Sequence, residues 1–243
     1  MPNPRPCLLL LMLSAAASAI SAEVNFTVVN NAADTIGGKR FERRIGADYS
    51  CQAMSTATNF IWDLLEQTTS FGFGTNTTTS ERRDYSNVTL YIEPMDGADG
   101  VSAYALGNSL HISANYIGNY TGNVKKEFTG VLYHVLAYTW MWDGEGEAPR
   151  GLSSGMAEFV RLKAHYAPRM VGGSPGRTDY WDEGYGVTAM FLDYCNNIKD
   201  GFVAQLNAKL KEGYSRGYFR ELLGKSVDVL WQDYKSKYQM DRP

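Results

Sequence analysis

The amino-acid sequence predicts an α+β fold: an amino-terminal mixed sheet, a central helix and a mostly helical carboxy-terminal half. Three observations predict it. Short runs of alternating apolar residues fall in the first half of the chain, around 24–28, 88–92 and 110–116. Apolar residues spaced by three and four dominate the second half. Between them, residues 130–165 read as helix, glycine-rich turn and helix. Strands and helices segregated along the chain argue for α+β rather than for alternating βαβ units.

Val24, Phe26 and Val28 alternate with Asn25 and Thr27 and give a half-buried first strand. Asn30 to Gly38 is a loop by composition. Ala53, Ala57, Phe60, Ile61, Leu64 and Leu65 place a long helix over 46–66. Residues 71–84 form a polar loop rich in Gly, Thr and Asn, and Val88 to Ile92 is a strand stopped by Pro94. Asp96-Gly97-Ala98-Asp99-Gly100 is a turn; its alternating carboxylates suit calcium in part, but the distal Glu of a calcium loop is absent. Leu110 to Tyr116 alternates as an edge strand, with His111 on the face opposite Leu110 and Ile112. Helices follow at 185–198, with Val187, Met190, Phe191 and Tyr194 inward, and around Phe202, Leu206 and Leu210. Ser226 is the N-cap of a last helix that carries Val229, Leu230 and Tyr234.

The chain has 243 residues, 44% of them hydrophobic, enough for one domain with a substantial core. Residues 1–22 have the form of a secretory leader: Arg5, an apolar run from Cys7 to Leu13, then small residues from Ala15 to Ala22. That run is too short to span a membrane, and no later one is long enough. The expected product is a single domain over 23–243, secreted to the cell exterior, with no membrane partner. Loss of Arg5 takes the formal charge from −3 to about −4. Such a mildly acidic chain, whose basic residues form only isolated pairs, excludes nucleic acid as a partner.

In a secreted chain, the N-x-S/T sequons at Asn25, Asn76, Asn87 and Asn119 are candidate glycosylation sites. Cys51 and Cys195 remain once Cys7 leaves with the leader. They either bridge in the oxidising exterior or stand as separate small buried hydrophobes.

The chemistry turns on 130–165. Zinc peptidases place two histidines one turn apart on a helix, a glutamate beside the first, and a third ligand on the next helix. Here His134 is followed by Val135 where the general base would stand and by Tyr138 where the second His would stand. Twenty positions past His134, Ser154 stands where an acidic ligand would be expected. On this pattern alone His134 is better explained as a hydrogen-bonded core histidine than as a ligand. Neither a nucleophile elbow nor a Cys–His pairing nor a phosphate-cradling loop supplies another chemistry.

Many segments in order carry a wider resemblance. They include Gly37-Gly38-Lys39-Arg40-Phe41, Ala57-Thr58-Asn59-Phe60-Ile61-Trp62 and Met95-Asp96-Gly97. His111-Ile112-Ser113-Ala114-Asn115-Tyr116-Ile117, Gly130-Val131-Leu132-Tyr133-His134 and Val160-Arg161-Leu162-Lys163-Ala164 continue the series. Trp181-Asp182-Glu183-Gly184-Tyr185, Phe191-Leu192-Asp193-Tyr194-Cys195 and Leu222-Leu223-Gly224-Lys225 complete it. Over about residues 24–240 the chain closely resembles the plant basic secretory protein family, regarded as secreted zinc metallopeptidases. The resemblance implies a zincin-like scaffold, a central helix with H-E-x-x-H and a second helix with E-G-x-A-D. Matched residue by residue, only His134 is kept as a ligand. Val135 takes the base position, Tyr138 the second His, Ser154 the acidic ligand and Glu158 the Asp that supports the ligands.

The resemblance therefore implies a family scaffold with its catalytic residues replaced. The first expectation is a catalytically inactive metallopeptidase homologue, a glycoprotein of the plant apoplast with a defence-related or peptide-binding role and no cofactor. Its partners would be extended peptides or an extracellular protein in the vacated cleft, with the edge strand pairing to the ligand backbone. The alternative is an active zinc metallopeptidase with a remodelled site drawn from His134, Tyr138 and Glu158. A third reading, carbohydrate binding, rests only on abundant aromatic residues and secretion.

Overall fold

The computed structural model describes residues 5–6, 24–68, 80–95, 102–167 and 178–240. The chain falls into two units, residues 1–59 with 83–139, and residues 60–82 with 140–243.

The first unit holds a mixed sheet built from β1 (Arg5–Pro6), β2 (Asn25–Asn30), β5 (Asn87–Glu93), β6 (Ala103–Leu106) and β7 (Ser109–Ser113). Their order is β1-β2-β5-β7-β6. The central three run parallel, and the two outer strands are antiparallel to their neighbours. Alternation sends Val28, Val88, Leu90, Ile92, Leu110 and Ile112 into the core. Phe41, Met54, Ala57, Phe128, Leu132 and Leu136 are buried with them. They come from α1 (Ile36–Arg44), α2 (Ala47–Leu64) and α4 (Val124–Trp140). Rings of Phe41 and Phe128 meet at 5.7 Å. The guanidinium of Arg40 donates to the carbonyls of Ile117, Gly118 and Tyr120, filling acceptors that α3 (Ala114–Asn119) leaves open at its end.

Four expectations for this unit change. Gly37 and Gly38 lie inside α1 rather than in a loop. A Cβ at Gly37 would sit 1.8 Å from the Ala114 carbonyl oxygen and one at Gly38 1.9 Å from that of Ala32, so glycine here permits close backbone approach rather than a turn. The strand expected over 110–116 ends at Ser113, whose hydroxyl accepts from Tyr116 N–H at 3.2 Å and caps α3. Nor is that strand an edge: β7 lies between β5 and β6, and β6 is the outer one. The outermost strand on the other side, β1, comes from the segment with leader character, which the sequence reading keeps out of the fold. Without it β2 becomes the edge.

The second unit contains a two-stranded parallel pair, β3 (Gln67–Thr68) and β4 (Ser80–Glu81), and the helices α5 (Arg150–Lys163), α6 (Tyr185–Ile198), α7 (Phe202–Lys209), α8 (Tyr218–Leu223) and α9 (Val227–Met240). Trp62 and Trp140 meet edge to face at 5.0 Å, and the Arg82 guanidinium lies 3.8 Å over Trp62. Gln67 Nε2 donates to the Trp140 carbonyl at 2.7 Å. A second aromatic cluster joins Trp181, Phe191, Phe219, Trp231 and Tyr234.

Here α6 buries Thr188, Phe191, Leu192 and Cys195, not the stripe through Val187, Met190 and Tyr194. Ser226 caps α9 through Val229 N–H at 3.5 Å, yet Val229 itself is 47% exposed, and Val227, Leu230, Trp231 and Tyr234 face inward. The expected choice for Cys51 and Cys195 resolves against their bridge: Cys195 is a free thiol, fully buried on the inner face of α6, and Cys51 is disulfide-bonded without it. The chain's third cysteine, Cys7, lies outside the described residues, as do the calcium-like turn at 96–100 and the sequon at Asn76.

Candidate functional site

Helix α4 is buried almost all round. Between 128 and 140 only His134 and Tyr138 are not buried. They are four residues apart, so they stack on one helical face. Their rings meet edge to face at 5.6 Å. The one accessible stripe of the helix is thus the pair of positions that would carry the two histidine ligands, and it carries an imidazole and a phenol. Val135, where a general base would stand, is 1% exposed, and Leu136 and Ala137 are fully buried. An isopropyl group takes no proton from water, and this one faces packed side chains.

In the other unit, Ser154 lies in the second turn of α5, which begins at Arg150 after Pro149. Its hydroxyl donates to the Gly151 carbonyl at 3.2 Å and accepts from Tyr185 N–H at 3.3 Å. Tyr185 opens α6 at φ +42°, a conformation that side chains other than glycine seldom adopt, and it is 63% exposed. Gly184, at φ +96°, has no room for a side chain, because a Cβ would stand 2.4 Å from Ser154 Oγ. Gly184 N–H donates to Thr188 Oγ1 at 2.9 Å, and that hydroxyl donates to the Trp181 carbonyl at 2.8 Å. The serine in the ligand position is therefore part of a bracket that fixes the turn before α6.

Glu158 is 4% exposed. Arg161, one turn further along α5, is 8% exposed and donates from Nε to the Tyr166 carbonyl at 3.1 Å. His165 is exposed at φ +61°, just past the end of α5.

Zinc needs three or four deprotonated ligands at about 2 Å. The motif positions offer an imidazole, an isopropyl, a phenol and a hydroxyl. Among the described residues, no group of three or more His, Cys, Asp and Glu side chains is placed to hold a metal. This donor set does not fit zinc.

On the sheet, His111 is a cross-strand residue. Its ring is stacked between Tyr91, at 5.1 Å, and Tyr104, at 4.5 Å, and its Nδ1 lies 3.0 Å from Glu93 Oε2. The imidazole and the inner faces of both tyrosines are used up in this stack. A sugar-binding platform needs open ring faces, so the stack does not favour carbohydrate recognition. Asn25, Asn87 and Asn119 are all exposed. No helix among the described residues is long and apolar enough to cross a membrane.

The bracket around Ser154 and Tyr185 was not apparent from the sequence. Its only trace there is the run Trp181 to Tyr185, where a glycine precedes a helix.

Comparisons with known proteins place these features. A family profile described as "Peptidase of plants and bacteria" matches residues 21–234. A "Basic secretory protease" from Boswellia serrata is 43% identical over 58 residues, 24% of this chain and 66% of that protein. The match thus spans just under two thirds of that relative's length. No solved structure matches the chain. A profile that covers most of the chain, over both units, shows that this protein belongs to the basic secretory protein family of plant and bacterial peptidases.

Proposed function

We propose that the protein is a catalytically inactive member of its family: a leader over 1–22 followed by a secreted, glycosylated domain over 23–243 on a zincin-like scaffold. The observation that carries the reading is the open stripe of α4. It keeps His134, replaces its ligand partner with Tyr138, and lacks the base because Val135 is packed away. General-base catalysis contributes about 10²–10⁴-fold, and the metal's polarisation of water and carbonyl adds to that. Without both, peptide hydrolysis falls to background.

What such a scaffold retains is recognition. Among the described residues β6, rather than β7, is the outer strand; it offers its edge to an extended peptide, and its exposed Tyr104 and Leu106 offer apolar contacts. The ligand class is therefore extended peptide, free or as a segment of an extracellular protein, and a defence-related role in the apoplast follows the family. Immobilised secreted protein should retain peptides from a random extended-peptide library without cleaving them, in the presence or absence of a chelator. Cleavage that a chelator abolishes would support the other reading, an active zinc metallopeptidase using His134, Tyr138 and Glu158.

A further inference from the structure

Two sequons meet on one rung of the sheet. In the parallel register of β2 and β5, Asn25 is opposite Asn87 and Thr27 is opposite Thr89. Val28 and Leu90 point into the core, so all four sequon side chains project from the outer face. Neighbouring strands lie about 4.8 Å apart, so the two acceptor amides share a space that one N-linked glycan fills. From this geometry we propose that the rung is one glycosylation site that holds one glycan, and that Asn87 carries it. The proposal rests on passage of the chain through the secretory route.

The folded surroundings of the two asparagines differ. Asn108 Nδ2 donates to both the backbone oxygen and Oδ1 of Asn87, at 3.0 and 3.1 Å. This holds the Asn87 amide by its oxygen and makes no use of its nitrogen. A glycosylated asparagine keeps that oxygen, so the glycan costs neither bond. Asn25 instead uses its nitrogen, Nδ2, as donor to the Ser86 carbonyl at 3.5 Å. A sugar on that nitrogen competes with this contact. Sugar transfer precedes folding, and the fold then selects. A chain modified at both positions must part β2 from β5 to house two glycans, and it loses the ladder that sets the core.

The glycan also has a surface to cover. Beyond the Asn rung the outer face presents Thr27, Thr89, Ser109 and Leu106, and then Val29, Tyr91, His111 and Tyr104. Tyr91 is four residues from Asn87, about 13 Å along the strand. A glycan that lies along β5 shields Thr89 and Tyr91 and leaves β6, with Tyr104 and Leu106, free.

The test is glycopeptide mapping of the full chain secreted from plant cells, as wild type, N25Q and N87Q, with the mature amino terminus sequenced alongside. The expected wild-type product has Asn87 occupied and Asn25 bare. N25Q leaves Asn87 occupied, and N87Q moves the glycan to Asn25. Both sites occupied on one molecule would overturn the proposal. So would occupancy of Asn25 alone, a bare rung, or an Asn25 that stays bare in N87Q. A bare rung on a chain that begins near Glu23 refutes the glycan while secretion stands. A chain retained in the cell with its leader refutes both.

Discussion

Ser154 Oγ accepts the Tyr185 backbone N–H at 3.3 Å across a sequence separation of 31 residues. The hydroxyl at position 154 ties α5 to the first residue of α6. The replacement is thus structural as well as chemical. Ser154→Ala should lower stability by about 1 kcal/mol through the lost hydrogen bond and leave metal content unchanged. Thermal unfolding and elemental analysis of the variant check both points.

The close packing of α5 on this turn depends on glycine. A Cβ at Gly151 would stand 1.6 Å from the Asp182 carbonyl oxygen, and one at Gly155 2.3 Å from the Thr188 side chain. Gly151→Ala meets fixed backbone and should cost about 3 kcal/mol, at the upper end of overpacking penalties. Gly155→Ala meets a side chain and should cost less. Chemical denaturation of the two variants should rank them in that order.

Burial of Val135 makes restoration of the base unfavourable by itself. Val135→Glu puts an unpaired carboxylate at a position 1% exposed, which demands either protonation or local rearrangement. The single variant should be markedly destabilised near neutral pH and partly recover in acid, where the carboxyl is neutral. A pH series of melting temperatures tests this.

Cys195 links stability to alkaline pH. Burial pushes its thiol well above the usual range. The folded state therefore holds the proton more tightly than the unfolded chain, whose thiol titrates near about 8.5. The stability this gives is fully present below that value and is lost as pH rises above it. Tyr234 follows the same sign from about pH 10, its phenol raised first by burial and then by Tyr238 and Asp193. Cys195→Ala should keep its melting temperature level to higher pH than wild type. Cys195 should also resist thiol reagents until the chain unfolds; denatured, unreduced protein should then titrate this thiol, where a bridge between Cys51 and Cys195 would hide it.

Much of this was legible in the residues. The three-and-four spacing of Ala53 to Leu65 marked α2, and the boundaries of α6 agree with the pattern over 185–198. The motif substitutions at Val135, Tyr138 and Ser154 could be read directly. Other features depend on partners distant in sequence. Gly37 and Gly38 resemble a turn until Ala114 and Ala32 are seen against them. The four residues of β6 are too few for alternation to stand out, and their absence from the sequence reading made β7 look like an edge. Nothing local to Ser154 reveals Tyr185 as its donor. The inward face of α6 differs from the one the spacing suggests, because Thr188 and Cys195, a hydroxyl and a thiol, are buried there while the larger Met190 and Tyr194 are only half-buried.

The motif positions His134, Val135, Tyr138 and Ser154 supply one ordinary zinc ligand where three are needed. The most direct test is the zinc-to-protein ratio of the purified, untagged secreted protein, measured by elemental mass spectrometry. A ratio near zero is expected, unchanged after exposure to zinc and dialysis. A ratio near one, lost in His134→Ala, would contradict it and return the protein to the active metallopeptidases.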